Sequence, residues 1–264
     1  MKSTSRQRER LDCHLERRGY VSSREQAKRF ILAGAVSVNG QRVDKVGFST
    51  PTDALVHVKK TDGMYVSRGG IKLAAALDAL RIDPNGCVVL DVGASTGGFT
   101  DCVLRRGATK VYAVDVGYGQ LAWKLRQDQR VIVLERKNIR YLPDDCIPEL
   151  VDLVTIDVSF ISLRNVLPRV RKLVRPGGDI VALVKPQFEV GKGKVGRGGI
   201  VKDPQQRSEV VEEVIAAAHT LGLRSNGTAP SPISGRDGNI EIFLHLAPEL
   251  VSDTALEVRE ECTF

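Results

Sequence analysis

Apolar residues in the first part of the chain follow a helical spacing and predict two short helices. Leu11 and Leu15 lie four residues apart and form one face of a helix predicted over residues 8–18. A serine pair then precedes apolar positions three and four residues apart, which predicts the capped start of a second helix that ends at Gly34. The inward positions of this second helix are Ala27, Phe30 and Ile31.

The spacing then changes to the alternation that is typical of strands. Val36 and Val38 alternate with polar residues, and an Asn-Gly pair follows them as a tight turn. A return strand is predicted to begin at Val43, and a further short strand covers residues 54–58. The first sixty residues are therefore expected to form a small α+β domain.

From residue 87 onward, apolar strands alternate with helices. An amphipathic helix that ends near Leu80 precedes this region. Two helices within it are predicted over residues 163–174 and 205–221. The predicted strands are residues 87–92, 111–114, 131–134, 153–156, 180–184 and 239–246. This order predicts an α/β fold of the doubly wound, Rossmann-like type with a mostly parallel sheet.

These patterns divide the chain into four expected parts. They are a small domain (1–60), a linker of polar and small residues (61–66), a large α/β domain (67–247) and an acidic tail (248–264) for which we have no role.

The positive charge of the chain is concentrated in the small domain. Residues 1–60 carry 13 Lys and Arg against 6 Asp and Glu, whereas the rest of the chain carries 26 of each sign. A basic field on one small domain favours a polyanionic partner, although a solvated basic surface would give the same count.

Other bulk features restrict the class of protein. No apolar run is long enough to cross a bilayer, and the charged N-terminus does not look like a signal peptide. The five cysteines are scattered and contain no C-x-x-C pair, which disfavours disulfides and a zinc site. We expect a cytoplasmic protein without membrane or metal partners, and the oligomeric state stays open.

The small domain resembles the RNA-binding fold named after ribosomal protein S4. The matching stretch reads RLDCHLERRGYVSSREQAKRFILAGAVSVNGQRV, from Arg10 to Val43. The resemblance implies that a basic surface holds structured RNA, mainly through its shape and its phosphates. The candidate RNA-binding residues are Arg6, Arg10, Arg18, Arg24, Lys28 and Arg29.

A glycine-rich turn follows the first strand of the large domain. Its spacing lacks the G-x-G-x-x-G of dinucleotide sites. An acidic residue after the second strand and an asparagine after the third complete a set that resembles the S-adenosylmethionine (SAM) site of class I methyltransferases. The candidate cofactor-binding residues are Asp91, Gly93, Ser95, Thr96, Gly97, Gly98, Phe99, Asp115 and Asn138.

The residues after the fourth strand limit the atom that is methylated. The stretch Thr155-Ile-Asp157-Val-Ser-Phe160 lacks the N/D-P-P-Y/F run that is usual for methylation of exocyclic amines. No cysteine is placed to act as the nucleophile of a cytosine-C5 methyltransferase. The acceptor is therefore expected to be an oxygen.

Four residues resemble, in order and context, the Lys-Asp-Lys-Glu tetrad of FtsJ-like ribose 2′-O-methyltransferases. They are Lys72, Asp157, Lys185 and Glu241. With the RNA-binding domain in front, the whole chain resembles the TlyA family, which is often labelled hemolysin A. The resemblance implies SAM-dependent methylation of a cytidine 2′-hydroxyl in ribosomal RNA, on naked RNA or on ribosomal subunits. Lys185 would act as a base or as an electrostatic stabiliser.

Three other functions fit the sequence less well. A non-catalytic protein that binds ribosomal RNA or ribosomes would need the same basic domain, but it would not need the tetrad. Direct haemolysis is disfavoured because no membrane-spanning element is visible in the sequence. A pseudouridine synthase is disfavoured by the SAM-type glycine turn.

Overall fold

The structure is a computed structural model, which describes residues 7–21, 23–32, 34–58, 65–191, 195–196, 198–235 and 238–249. Contacts within the chain separate two compact units, and the division falls after Gly70. Residues 61–64 of the predicted linker and residues 250–264 of the predicted tail lie outside the described residues.

The N-terminal unit is built from two helices and five short strands. These elements are β1 (Arg8–Arg10), α1 (Leu11–Arg17), α2 (Arg24–Leu32), β2 (Val36–Val38), β3 (Gln41–Arg42), β4 (Ser49–Pro51) and β5 (Val56–Val58). Strand β1 pairs with β4, and β2 lies between β3 and β5 in a second sheet. Leu11, Leu15, Ala27 and Ile31 are fully buried between the elements, as their helical spacing predicts.

Three local predictions for this unit need correction. Residues 8–10 form a strand instead of the first turn of a helix, because they pair antiparallel with Ser49–Pro51, a partner that no local pattern shows. The return strand is Gln41–Arg42 and ends before Val43, whose side chain is buried. The strand predicted over 54–58 begins two residues later, at Val56.

The C-terminal unit contains one seven-stranded sheet. Its helices are α3 (Arg68–Leu80), α4 (Gly98–Arg105), α5 (Trp123–Arg126), α6 (Leu167–Val170), α7 (Pro186–Glu189) and α8 (Pro204–His219). Its strands are β6 (Val88–Val92), β7 (Lys110–Val114), β8 (Val131–Leu134), β9 (Val151–Ile156), β10 (Val174–Val184), β11 (Leu223–Pro230) and β12 (Ile242–Pro248).

The order of strands is β11-β12-β10-β9-β6-β7-β8. Strands β8, β7, β6, β9 and β10 are parallel, and β12 runs antiparallel to both of its neighbours. The predicted doubly wound, mostly parallel sheet is confirmed. Because parallel strands end at one edge, the loops after β6 to β10 meet there, which is where such folds bind ligands.

Two predicted elements of the large domain differ from the structure. The helix predicted over 163–174 is a turn of 3₁₀ helix followed by the short α6, and Val174 already belongs to β10, where it pairs with Val151. The last strand begins at Ile242 instead of residue 239, since the Asn239 side chain binds the backbone of Gly199 and Val201. Strand β11 was not predicted at all.

The described part of the chain shows neither a membrane-spanning helix nor a metal-binding cluster. None of its helices combines the length and the apolar character that a membrane crossing requires. Its His, Cys, Asp and Glu side chains form no cluster that could hold a metal ion.

Candidate active site

The glycine turn after β6 brings the backbone close to the neighbouring strand end. Gly93 has a φ of 84°, and its N–H donates to the carbonyl of Val114 at 2.8 Å. A Cβ at this position would lie 2.5 Å from the carbonyl oxygen of Asp157. Only glycine therefore fits between the ends of β6 and β9.

The carboxylate of Asp115, just after β7, holds this turn in place. It accepts the N–H of Ser95 at 2.8 Å and the N–H of Gly117 at 2.6 Å. The Ser95 hydroxyl lies 3.3 Å from Oε1 of Gln120, to which it donates. A carboxylate has about four lone-pair positions, so Asp115 keeps acceptor capacity for a ligand.

A cavity of about 860 Å³ opens at this edge of the sheet. Four of the nine predicted cofactor-binding residues line it, namely Gly93, Ser95, Asp115 and Asn138. Thr96, Gly97, Gly98 and Phe99 do not line it; Gly98 and Phe99 are buried at the start of α4. The volume falls in the range of small-molecule sites.

Asp91 lies beneath the turn instead of in the cavity. Its side chain is fully buried, and its two oxygens accept the hydroxyls of Thr100 at 2.6 Å and Thr155 at 3.1 Å. Burial raises the pKa of Asp91 to about 7, against the opposing effect of these two hydrogen bonds. Asp91 therefore joins β6, β9 and α4 below the cofactor candidates.

The four tetrad residues form two ion pairs. Lys72 Nζ, on α3, lies 2.5 Å from Oε2 of Glu241, and both side chains are buried. Lys185 Nζ lies 2.6 Å from Oδ1 of Asp157 and donates to the Ser159 hydroxyl at 2.9 Å.

The strand register relates the two pairs. Val184 of β10 is paired with Ile242 of β12 in antiparallel register. Lys185 and Glu241 are the next residue on each strand beyond that pair. Glu241 itself precedes β12 and is 3% exposed.

Three residues near Lys185 were missed by the sequence reasoning. Ser159 binds Lys185, and Phe160 and Phe188 line the cavity with ring centroids 5.0 Å apart. Phe160 is 90% exposed and has a φ of 64°, an unusual backbone conformation for an aromatic residue. The signal that could have found it is an aromatic residue three positions after Asp157, in a loop after a strand end, where polar residues are usual.

Four of the predicted RNA-binding cations are held by ion pairs or by a hydrogen bond within the N-terminal unit. The fully buried carboxylate of Asp12 binds Arg10 at 2.9 Å and Arg24 at 2.9 Å, and both arginine side chains stay at least half exposed. Arg18 donates to the carbonyl of Thr52, and Lys28 pairs with the exposed Glu25. Arg6 and the side chain of Arg29 lie outside the described residues.

Comparison with known proteins agrees with the geometry. The FtsJ-like methyltransferase family matches residues 65–247, and the S4 domain matches residues 9–49. The "16S/23S rRNA (cytidine-2'-O)-methyltransferase TlyA" of Mycobacterium tuberculosis is 49% identical, over 96% of this chain and 94% of that protein. "Hemolysin A" of Brachyspira hyodysenteriae is 39% identical, over 89% of this chain and 98% of its own.

A solved structure from Streptococcus thermophilus that carries a hemolysin label has 45% sequence identity to this chain. The two superpose with a TM-score of 0.72, over 93% of this chain and 90% of that one. The predicted family, fold class and enzyme class are confirmed. The chain belongs to the TlyA family, in which an S4 domain is joined to an FtsJ-like methyltransferase domain.

Proposed function

We propose that the protein transfers the methyl group of SAM to the 2′-hydroxyl of a cytidine in ribosomal RNA. The proposal rests on two ion pairs, Lys72–Glu241 and Lys185–Asp157. They lie at the strand ends, where Asp157 lines a cavity large enough for a small-molecule ligand.

The cavity has features that fit SAM. The close backbone approach at Gly93 leaves room for a ligand against the turn, and Asp115 retains lone pairs for ribose hydroxyls. Asn138, after β8, supplies an amide for the adenine edge. Asp157 Oδ1 is buried and has no hydrogen bond among the described residues, although it lies close to Lys185. Its charge suits a cationic ligand, and SAM supplies a methyl group on a positively charged sulfur.

The tetrad residues then act on the acceptor oxygen. Lys185 forms an ion pair with Asp157, so we assign it as an ammonium that orients the hydroxyl and stabilises the negative charge that develops on the oxygen, while the hydroxyl proton is lost to solvent water. Glu241, which follows the strand register next to Lys185, fixes the ammonium of Lys72. Alignment of the hydroxyl oxygen with the methyl group supplies the remaining rate acceleration.

The RNA partner is inferred from the N-terminal unit and from the relatives. Arg10 and Arg24 present two exposed guanidinium groups, which suit phosphates. Phe160, exposed at the cavity, offers a ring on which a nucleobase can stack. The name of the M. tuberculosis relative specifies cytidine in ribosomal RNA. An enzyme that acts on ribosomal RNA works where ribosomes are, so we propose a cytoplasmic location.

We retain the predicted domain boundaries as part of this proposal, with RNA binding in residues 1–60 and methyl transfer in residues 67–247.

The proposal is tested by the transfer of labelled methyl from SAM to isolated small and large ribosomal subunits. Wild type is compared with Lys185→Ala and with a control, Lys172→Ala, which removes an exposed lysine outside the cavity. With wild type, we expect a labelled methyl group that protects one position of the RNA from alkaline cleavage. Lys185→Ala should lower the rate of methyl transfer at least about 100-fold, and the control should leave it unchanged. Measurable SAM binding without transfer to either subunit would contradict the proposal and support a non-catalytic RNA-binding protein.

A further inference from the structure

Glu189 is a buried carboxylate to which neither the proposed chemistry nor the sequence reasoning gives a role. It is the last residue of α7, four positions after Lys185, and it is 3% exposed. A buried carboxylate is costly unless hydrogen-bond donors surround it. The donors that surround Glu189 therefore show what this residue holds.

Both oxygens of Glu189 are bound by the loop that follows β9. The Ser162 hydroxyl donates to Oε2 at 2.5 Å, and the N–H of Leu163 donates to Oε1 at 2.7 Å. Ser162 in turn accepts the N–H of Arg164 at 3.1 Å, so its hydroxyl connects Glu189 to the start of a 3₁₀ helix.

Arg164 makes a second connection between the same segments. Its guanidinium donates to the backbone carbonyl of Glu189 at 2.8 Å, while Nε lies 3.7 Å from the Glu189 carboxylate. The other end of this guanidinium reaches Glu213 on α8 at 3.2 Å. The segment 162–164 is thus joined to Glu189 through side-chain and backbone atoms.

The two segments that Glu189 joins carry one ion pair of the tetrad. Residues 157–162 begin with Asp157 and line the cavity, and residues 185–189 begin with Lys185 and include Phe188, which also lines it. Both segments leave neighbouring parallel strands, β9 and β10, and only their far ends are free to separate. Glu189 connects those far ends.

We propose that Glu189 is a positioning residue that fixes the separation of Asp157 and Lys185, and with it the tilted contact between the rings of Phe160 and Phe188. The proposal rests on the proposed methyl transfer for its catalytic consequence. Glu189 touches neither the cavity nor the ion pair, and it acts through Ser162, Leu163 and the short helix α7.

The test compares Glu189→Ala, Glu189→Gln and Ser162→Ala with wild type. Glutamine keeps the shape of the side chain, since its carbonyl can accept from Leu163 and its amide can donate to Ser162 Oγ. Glu213→Ala is the matched control, because it removes the other partner of Arg164 from an exposed position on α8.

We expect Glu189→Ala to lower kcat at least about tenfold while KM for SAM changes less than about threefold. Glu189→Gln should stay within about threefold of wild type, and Glu213→Ala should be unchanged. Adding Ser162→Ala to Glu189→Ala should cost less than Ser162→Ala costs in wild type, because the Ser162–Glu189 hydrogen bond is already absent and the cap on the Arg164 N–H is what remains to be lost. Equal activity of Glu189→Ala and the control, or additive losses in the double variant, would overturn the proposal.

A second readout does not depend on activity. Amide hydrogen exchange of Leu163 should be at least about tenfold faster in Glu189→Ala than in wild type or in Glu213→Ala. If the wild type transfers no methyl group, the proposed function fails, and this exchange rate still decides whether Glu189 holds the loop. An unchanged rate would show that it does not.

Discussion

Lys72 and Glu241 lie 169 residues apart in the sequence and form a buried ion pair with 2.5 Å between Nζ and Oε2. Removing one partner of such a pair leaves the other charge buried without compensation. We expect Glu241→Ala to lower the free energy of unfolding by about 3–5 kcal/mol, measured by urea denaturation. The double variant Lys72→Met/Glu241→Leu should recover most of that stability and still lack methyl transfer. Activity in the double variant would contradict a role for the pair in catalysis.

Gly93 is expected to be irreplaceable for a steric reason. Gly93→Ala places a Cβ 2.5 Å from the carbonyl oxygen of Asp157, in addition to the strain of a positive φ. Gly86→Ala is the matched control, with a φ of 77° and no atom within 4 Å of the added Cβ. We expect Gly86→Ala to cost about 1–2 kcal/mol. Gly93→Ala should lower the free energy of unfolding by more than this, and it should weaken SAM binding, measured by calorimetry, at least about tenfold. Equal effects in the two variants would count against a close backbone approach at Gly93.

Asp91 should make stability depend on pH. Its pKa is raised from 3.8 to about 7 in the folded protein, so the protonated form is favoured by folding. The stability that protonated Asp91 contributes to the folded protein is therefore fully present below about pH 4, and it is lost as the pH rises toward about 7. Asp91→Asn removes this titration. We expect the stability of wild type, relative to Asp91→Asn, to fall between about pH 4 and 7 and then to level off in urea unfolding; a constant difference would show that Asp91 does not titrate there.

Asp12 should support RNA binding without touching RNA. Burial alone would raise its pKa, but hydrogen bonds from Arg10 and Arg24 outweigh this effect and lower it to about 2. The carboxylate therefore stays charged and holds both guanidinium groups in place. We expect Arg10→Ala and Arg24→Ala each to reduce the slope of log affinity against log salt by about one.

In the same salt titrations, Asp12→Asn should weaken RNA binding although it removes a negative charge, because both arginines lose their anchor. Arg224→Ala, which removes an exposed arginine on the edge strand β11, serves as the control and should leave the slope unchanged. Tighter binding by Asp12→Asn would mean that Asp12 acts only by repelling phosphate.

The sequence predicted the features that follow from strand ends. An apolar strand that runs into Gly93, or into Lys185, marks the edge of a parallel sheet, and this rule needs no knowledge of other segments. This rule could not distinguish the position of Gly93, which lines the cavity, from that of Asp91, because both residues lie near the same strand end. The burial of Asp91 in the structure shows that it lies beneath the cavity.

Features that depend on distant partners were missed. Strand β1 exists because it pairs with β4, and β11 exists because it pairs with β12. The role of Glu189 depends on Ser162, and that of Asp12 depends on Arg24. In each case the residues taken alone look like ordinary surface positions, and only the folded contacts distinguish them.

The pairing of Lys72 with Glu241 also sets when this part of the fold can be completed during synthesis. Lys72 is made early and Glu241 just before the last strand, so a nascent chain carries Lys72 without this counter-charge until residue 241 has left the ribosome. A chain that stalls before residue 241 therefore lacks the partner of Lys72, and under the proposed role of this pair it is an incomplete catalyst.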